Sequence, residues 1–321
     1  MRHILLLGAG FSRNWGGWLA SEAFEYLLGC PQVDKGIREL LWRYRRQGGF
    51  EDALAHLQTE FTQKPNESTA QNLAKLEGAI QKMFTDMDEA FAGIDFEFQK
   101  RMAISVRWFL TRFDAIFTVN QDLLMERHYL IDSLGMLLSP TRTGWEIPGM
   151  RPLPIKNANE IPQWTPLNPG EFAVSTDHQP YFKLHGSSNW IDKTNGRPLL
   201  VMGGNKPSAI RQHPILKWNQ ERFTEYLSKA DTRLMVIGYS FGDDHINRAI
   251  GDAVDRGTLR LFIIDPLGLD VLDKNRHAAI YVPDNFFAKV QPHLIGAARR
   301  SMGEIFGGDL VEHGKVMRFF S

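Results

Sequence analysis

The chain has 321 residues, and its 37 Lys and Arg balance its 37 Asp and Glu, so no net field draws it to nucleic acid or to an anionic membrane. Its aliphatic, aromatic and charged contents are those of an ordinary globular protein, long enough to bury one large core or two modest ones. A single cysteine, Cys30, excludes an internal disulfide framework and every multi-cysteine zinc site. No run approaches the ~20 apolar residues of a membrane span, and the first residues lack a secretion-signal pattern, so the expected location is cytoplasmic.

The first element is the apolar run "HILLLG" (3–8), followed by "GAGFSRNWGG" (8–17). Gly8 and Gly10 suggest a strand-to-helix turn that approaches a pyrophosphate, with a helix beginning near Ser12 whose free N–H groups point at the phosphates. The G-x-G-x-x-G pattern is broken, because Arg13 stands at the third glycine and places a cation there. The turn alone fits equally a tight connection with no ligand. Leu19, Ala20, Ala23, Phe24, Leu27 and Leu28 then share one helical face, ended by Gly29 and Pro31. Residues 35–112 read as further helices, "IRELLWRYRR", "FEDALAHLQTEF", "QNLAKLEGAIQKMF" and "FQKRMAISVRWFLTRF". A doubly wound fold needs one crossover helix here, so 35–112 is expected to be an inserted helical subdomain.

A second strand, "AIFTVN" (115–120), ends in "TVNQD", Thr118 to Asp122. Asn120 and Asp122 offer an amide and a carboxylate at the strand end, or an Asx cap for the helix "LLMERHYL". Residues 139–180 hold eight prolines and little periodicity, and predict an irregular excursion or lid. The third strand, "YFKLHG" (181–186), ends at His185, which is either a general base at neutral pH or a structural histidine, with Gly186 leaving space beside the ring. "RLMVIG" (233–238) runs into "GYSFGDDHIN", a Gly/Ser turn before a helix that Asp243 and Asp244 can cap. "LRLFIID" (259–265) closes with Asp265, suited to a ribose hydroxyl pair. The end of the chain, from "LIGAARRS" onward, predicts a helix with a short arm.

Nearly continuous apolar strands alternating with helices predict an α/β fold, a Rossmann-like doubly wound parallel sheet with an inserted helical subdomain. The core spans 1–34 and 113–275, the insert 35–112, the excursion 139–180 lies within the core, and 276–321 is the C-terminal helix and arm. Ligands in such sheets sit beyond the carboxyl ends of the strands, where these turns lie.

"GAGFS", "TVNQD", "LHG" and "GYSFGDDHIN", in this order, resemble the sirtuin-like NAD-binding family over about residues 3–270. The four zinc-holding cysteines of the protein-deacylating members are missing, and "LVMGGNKPSAIRQ" is a poor match to an acyl-lysine-binding strand. The chain looks more like the bacterial antiphage branch whose members hydrolyse NAD. That resemblance implies an NAD+ hydrolase that takes NAD+ as substrate, with no metal and no zinc. Asn120 would orient the ribose or the attacking water, Asp122 would stabilise the nicotinamide-side ribose, and His185 would act as general base. Gly8, Ala9, Gly10, Ser12, Arg13, Thr118, Gly238, Ser240 and Asp265 would hold the rest of the dinucleotide. The resemblance also implies a homo-oligomer and gating by a separately encoded partner, such as a HerA-type ATPase or a short Argonaute, in abortive infection. The run "LWRYRRQGGF" (41–50) is either a docking surface or a solvated helix face. The rival expectations are an NAD-dependent protein deacylase or ADP-ribosyltransferase, and an NAD or ADP-ribose sensor without turnover.

Overall fold

The computed structural model describes residues 1–130, 142–155, 161–194, 196–203, 206–273 and 285–321. Its strands are β1 (Arg2–Leu7), β2 (Ala115–Thr118), β3 (Gly144–Glu146), β4 (Met150–Pro152), β5 (Trp164–Pro166), β6 (His178–Lys183), β7 (Gly186–Ile191), β8 (Pro198–Leu200), β9 (Thr232–Ile237), β10 (Leu259–Ile264) and β11 (Leu294–Ala298). Seven of them form an all-parallel sheet in the order β11-β10-β9-β1-β2-β6-β3. The other four make a small mixed sheet, β4-β5-β7-β8. With the short edge strand β3 set aside, the large sheet has the 3-2-1-4-5-6 order of doubly wound dinucleotide-binding folds. The expected α/β architecture is therefore present.

The apolar runs are continuous because both faces of the sheet are covered. Leu5 and Leu7 of β1 join one cluster with Phe109, Phe113 and Met235, while Ile4 and Leu6 join another with Phe117, Phe223 and Val236. Alternate side chains thus enter opposite cores, and each such aliphatic residue contributes about 1.5–3 kcal/mol.

A third cluster belongs to the helical region. Helices Ala20–Gly29, Lys35–Tyr44, Phe50–Gln63 and Glu67–Ala92 bury Phe24, Leu27, Ile37, Leu41, Leu57, Leu76 and Ile80 against one another. Asp34 caps the second of these helices by accepting from Ile37 N, and Asn66 caps the fourth by accepting from Thr69 N. Helix Ala20–Gly29, ahead of the expected insert 35–112, buries its face against the helices that follow it. At the other end Val106, Phe109, Leu110 and Phe113 pack into the sheet core. The single helix expected over 98–113 is instead a 3-10 turn, Met102–Ile104, and a short helix, Val106–Leu110. Ser105 starts the second piece by accepting from Trp108 N.

Two further expectations change. Residues 139–180 are not irregular throughout: they include β3, β4, β5 and the start of β6, although 139–141 and 156–160 lie outside the described residues. The run beginning at Leu294 is β11 rather than helix, pairing in parallel with β10. Two helices follow it, Met302–Gly307 and Leu310–Met317, each begun by its own cap, Ser301 with Glu304 and then Asp309. Residues 276–284 of the expected C-terminal segment, with His277, lie outside the described residues. Among the described residues no helix is long and apolar enough to cross a membrane.

Candidate active site

Chain order makes the site. From β1 the chain proceeds to β2 and β6 on one side, then returns to β9 on the other, so the sheet reverses direction beside β1. A crevice opens beyond the carboxyl ends at such a reversal. The turn after β1 and the turn after β9 meet there in direct contact. Gly8 N–H donates to Ile237 O (3.0 Å) and Gly10 N–H to Gly238 O (2.9 Å). A Cβ on Gly8 would stand 2.5 Å from Gly238 O, and one on Gly10 would stand 2.7 Å from Gly238 Cα. Gly238 itself has φ 62°, the left-handed region.

These glycines therefore let two turns pack together, and the Gly10 N–H is already committed to a backbone partner. The helix does not begin near Ser12 either. A single turn, Ala9–Ser12, is followed by a 3-10 turn, Arg13–Trp15, so Ser12 lies at the end of that turn rather than at the head of a helix. The expected row of free N–H groups behind Ser12 is absent, because the turn closes on Gly16 in a left-handed conformation before a second helix starts at Ala20.

The second turn joins the first through side chains. Thr118 Oγ1 donates to Leu7 O (3.2 Å) and accepts from Asn120 N (2.9 Å). Asn120 Nδ2 donates to Gly8 O and to Ser12 Oγ, both at 3.0 Å. Its Oδ1 is buried without a hydrogen-bond partner, a state rare enough to suggest a ligand group. Asp122 accepts from Leu124 N (3.1 Å), so its Asx turn is real, and it also lies beside the Ser12 hydroxyl. Burial pushes the Asp122 carboxyl up, against the opposing pull of Lys183 and Ser12.

Lys183, near the end of β6, ties this loop down. Its ammonium, fully buried, donates to Asp122 O (2.7 Å), Glu126 Oε1 (2.6 Å) and Ser187 Oγ (2.7 Å). Burial also pushes Glu126 up, with Lys183 opposing, and Glu126 Oε2 has no partner.

His185 follows two residues later and is 2 % exposed. Its Nε2 lies 3.0 Å from His245 Nε2, so one ring donates and the other accepts. The carboxylate of Asp243 completes a cluster whose three ligand-type atoms lie within 4.8 Å of one another. Asp243 sits at the N-cap position of helix Asp244–Asp255 yet makes no side-chain cap, contrary to the capping alternative. It accepts from Lys206 Nζ (3.0 Å), which also pairs with Glu51 at 2.9 Å. Burial lowers the His185 pKa to about 3, with Asp243 pulling the other way, and burial lowers His245 too. Both rings are therefore neutral near pH 7. For Asp243 burial works upward, but His185 and Lys206 outweigh it and hold the carboxyl below its ordinary range. Gly186 does not leave space beside the imidazole: it has φ 79°, and a Cβ there would run into the Leu199 carbonyl across the small sheet.

Of the expected site residues, Gly8, Ser12, Thr118, Asn120 and Asp122 form one bonded group, and Gly10 and Gly238 shape the turns beneath it. His185 shares no hydrogen bond with that group, and its ring partner is His245. Arg13 is half-exposed and pairs with Glu22 (2.7 Å), so its charge is taken up outside the turn. Ala9 and Ser240 are exposed, while Asp265 accepts from Leu267 N (2.8 Å) in its own turn. A cavity of about 950 Å³ lies between helices Phe50–Gln63 and Glu67–Ala92 and the small sheet, and its lining includes Leu123, Ser188 and Asn189, chain neighbours of Asp122 and Ser187. The residues not expected were His245, Lys183, Glu126 and Lys206. His245 lies within "GYSFGDDHIN", but its partner is 60 positions away, so spacing cannot signal it.

No protein-family model matches the chain, and no curated protein matches it.

Proposed function

We propose that the chain is an NAD+ hydrolase that cleaves the nicotinamide–ribose bond to give nicotinamide and ADP-ribose. The observation that carries this reading is the Asn120 amide, which joins the first two turns at the sheet reversal, shares the Ser12 hydroxyl with Asp122 and leaves its Oδ1 buried and unpaired. A ribose hydroxyl or a water supplies the missing donor. NAD+ brings a leaving group that is already cationic, and the ribose gathers positive charge as the bond breaks.

The residues divide the work. Asn120 orients the ribose or the water without itself titrating. Asp122, in its ionised form, faces the developing charge, and Lys183 opposes the burial that favours its protonated form. His185 is neutral but a weak base, since burial depresses it, and the Asp243 carboxylate, which pulls the other way, would stabilise the imidazolium formed when the ring takes a proton. The exposed Ala9 and Ser240 and the Asp265 turn border the crevice on the side proposed for the adenosine half.

A peptide-deacylating role has less support, because Lys206–Gln212 is helical and offers no extended strand to a peptide. The proposal includes gating by a second polypeptide or by self-assembly, since free NAD+ hydrolysis would harm the host. Trp42 is exposed on helix Lys35–Tyr44 with Arg45 over its ring at 5.1 Å, and it supplies a surface for such a partner. Chromatography of NAD+ incubated with the chain, alone and with candidate partners, tests the reading. Nicotinamide and ADP-ribose should appear together and vanish in Asn120→Ala and His185→Ala. NAD+ binding without turnover under every condition would make the chain a sensor.

A further inference from the structure

We propose that His185, Asp243 and His245 form a site for a divalent transition-metal ion of the zinc type, and that the ion, once bound, shuts the crevice by occupying His185 Nε2. The second half rests on the hydrolase reading, and the first does not.

The donor set suits such an ion: two neutral imidazoles and one carboxylate, contributed by the end of β6 and the head of helix Asp244–Asp255. The two Nε2 atoms already face each other at 3.0 Å. Two nitrogens on a tetrahedral zinc stand roughly 3.3 Å apart, given Zn–N bonds of about 2.0–2.1 Å. The rings need to open by only a few tenths of an ångström. A proton moves as the ion enters. One Nε2 now carries the hydrogen shared with the other ring, and both must become Nδ1–H tautomers, so that ring exchanges its proton through solvent with no net release.

Charge favours the ion. Among the described residues Lys206 is the one cation paired into the cluster, and it faces two carboxylates, Asp243 and Glu51. Asp244 and Arg248, which also act on His245, carry opposite signs. Lys206 engages Asp243 through Oδ1, which leaves the second carboxylate oxygen for the metal. The set also accounts for a local oddity: Asp243 occupies a cap position and does not cap. Three protein ligands leave a fourth position for water.

The test uses the full chain, freed of metal by a chelator and of any affinity tag. Cobalt(II) is titrated in while its visible d–d absorption is recorded, and zinc is then used to displace it. One equivalent of cobalt should bind with a tetrahedral spectrum that zinc abolishes. His245→Ala should weaken binding at least tenfold and should remove the spectrum. Lys206→Met, which frees Asp243 of its competitor, should tighten binding several-fold, and this gain cannot come from misfolding. Absence of stoichiometric binding, or binding that neither variant alters, overturns the site. Hydrolysis of NAD+ at the same rate with and without the bound ion overturns the inhibitory role. A chain that binds cobalt as expected but, once stripped, turns over no NAD+ either alone or with candidate partners overturns the hydrolase reading and leaves the metal site standing.

Discussion

Lys183→Met isolates the ion pair that anchors the candidate site. The ammonium satisfies three acceptors at once, Asp122 O, Glu126 Oε1 and Ser187 Oγ, and it is fully buried. Methionine keeps the length and the apolar packing but removes all three donors, leaving the Glu126 carboxylate buried and uncompensated. Removal of one member of such a pair costs about 3–5 kcal/mol. Urea unfolding at pH 7.5 should show this as a lower midpoint with an unchanged slope.

The pH dependence then separates this cause from a mere packing defect. In the variant, Glu126 titrates even further above its unfolded value, because burial already raises it and Lys183 no longer opposes. The folded state then binds more protons than the unfolded state between those two values. Stability therefore rises as pH falls through the folded pKa towards the unfolded one, and the variant should recover part of its loss on acidification. Lys183→Met combined with Glu126→Leu, which removes both charges, should lie within about 1–2 kcal/mol of the wild type. A Lys183→Met loss below ~1 kcal/mol, or one that deepens on acidification, would refute the assignment of a buried, stabilising charge pair.

Further predictions concern the turns and the chemistry. Gly238→Ala combines a left-handed backbone with a Cβ driven into the first turn, and thermal or urea unfolding should show a loss of at least about 2–3 kcal/mol. Ser12→Ala removes one acceptor of the Asn120 amide and a partner of Asp122, so NAD+ turnover should fall roughly tenfold or more with stability changed by no more than ~1–2 kcal/mol, read by kinetics beside unfolding. The acid limb of NAD+ hydrolysis should lie above the ordinary carboxylate range, because burial raises Asp122 and hydrolysis needs its ionised form. A kcat/KM profile that stays flat down to pH 4 would contradict this.

The sheet was legible because β1, β2, β9 and β10 are covered on both faces and so stand out as nearly continuous apolar runs. β3 and β11 were not, for different reasons. Gly144–Glu146 is three residues long and only partly buried, so it carries no pattern, and "LIGAA" fits a helix or a strand until β10 supplies its partner. The packing of helix Ala20–Gly29 on the helices after it was not legible, because Phe24 and Leu27 fit any apolar neighbour, and the sequence does not say that Ile37 and Leu41 would be that neighbour. In the site, the residues within one turn could be grouped by sequence, as with Asn120 and Asp122. Contacts between elements could not: Lys183 with Glu126 spans 57 positions, and His185 with His245 spans 60. The glycines carry the same lesson. Gly8 and Gly10 read as requirements for close approach and Gly186 as space beside an imidazole, but what lies against all three is the protein's own backbone, and only the folded chain shows that.

The most direct test of the central claim is product formation from NAD+ by the wild-type chain and by Asn120→Ala, each alone and with candidate partners, with the variant's fold checked by unfolding. The account predicts equimolar nicotinamide and ADP-ribose from the wild type and a loss of at least about a hundredfold in the variant, the scale on which removal of a single positioning or charge-stabilising group acts. Full turnover by a folded Asn120→Ala protein would contradict it, because the reading rests on that amide.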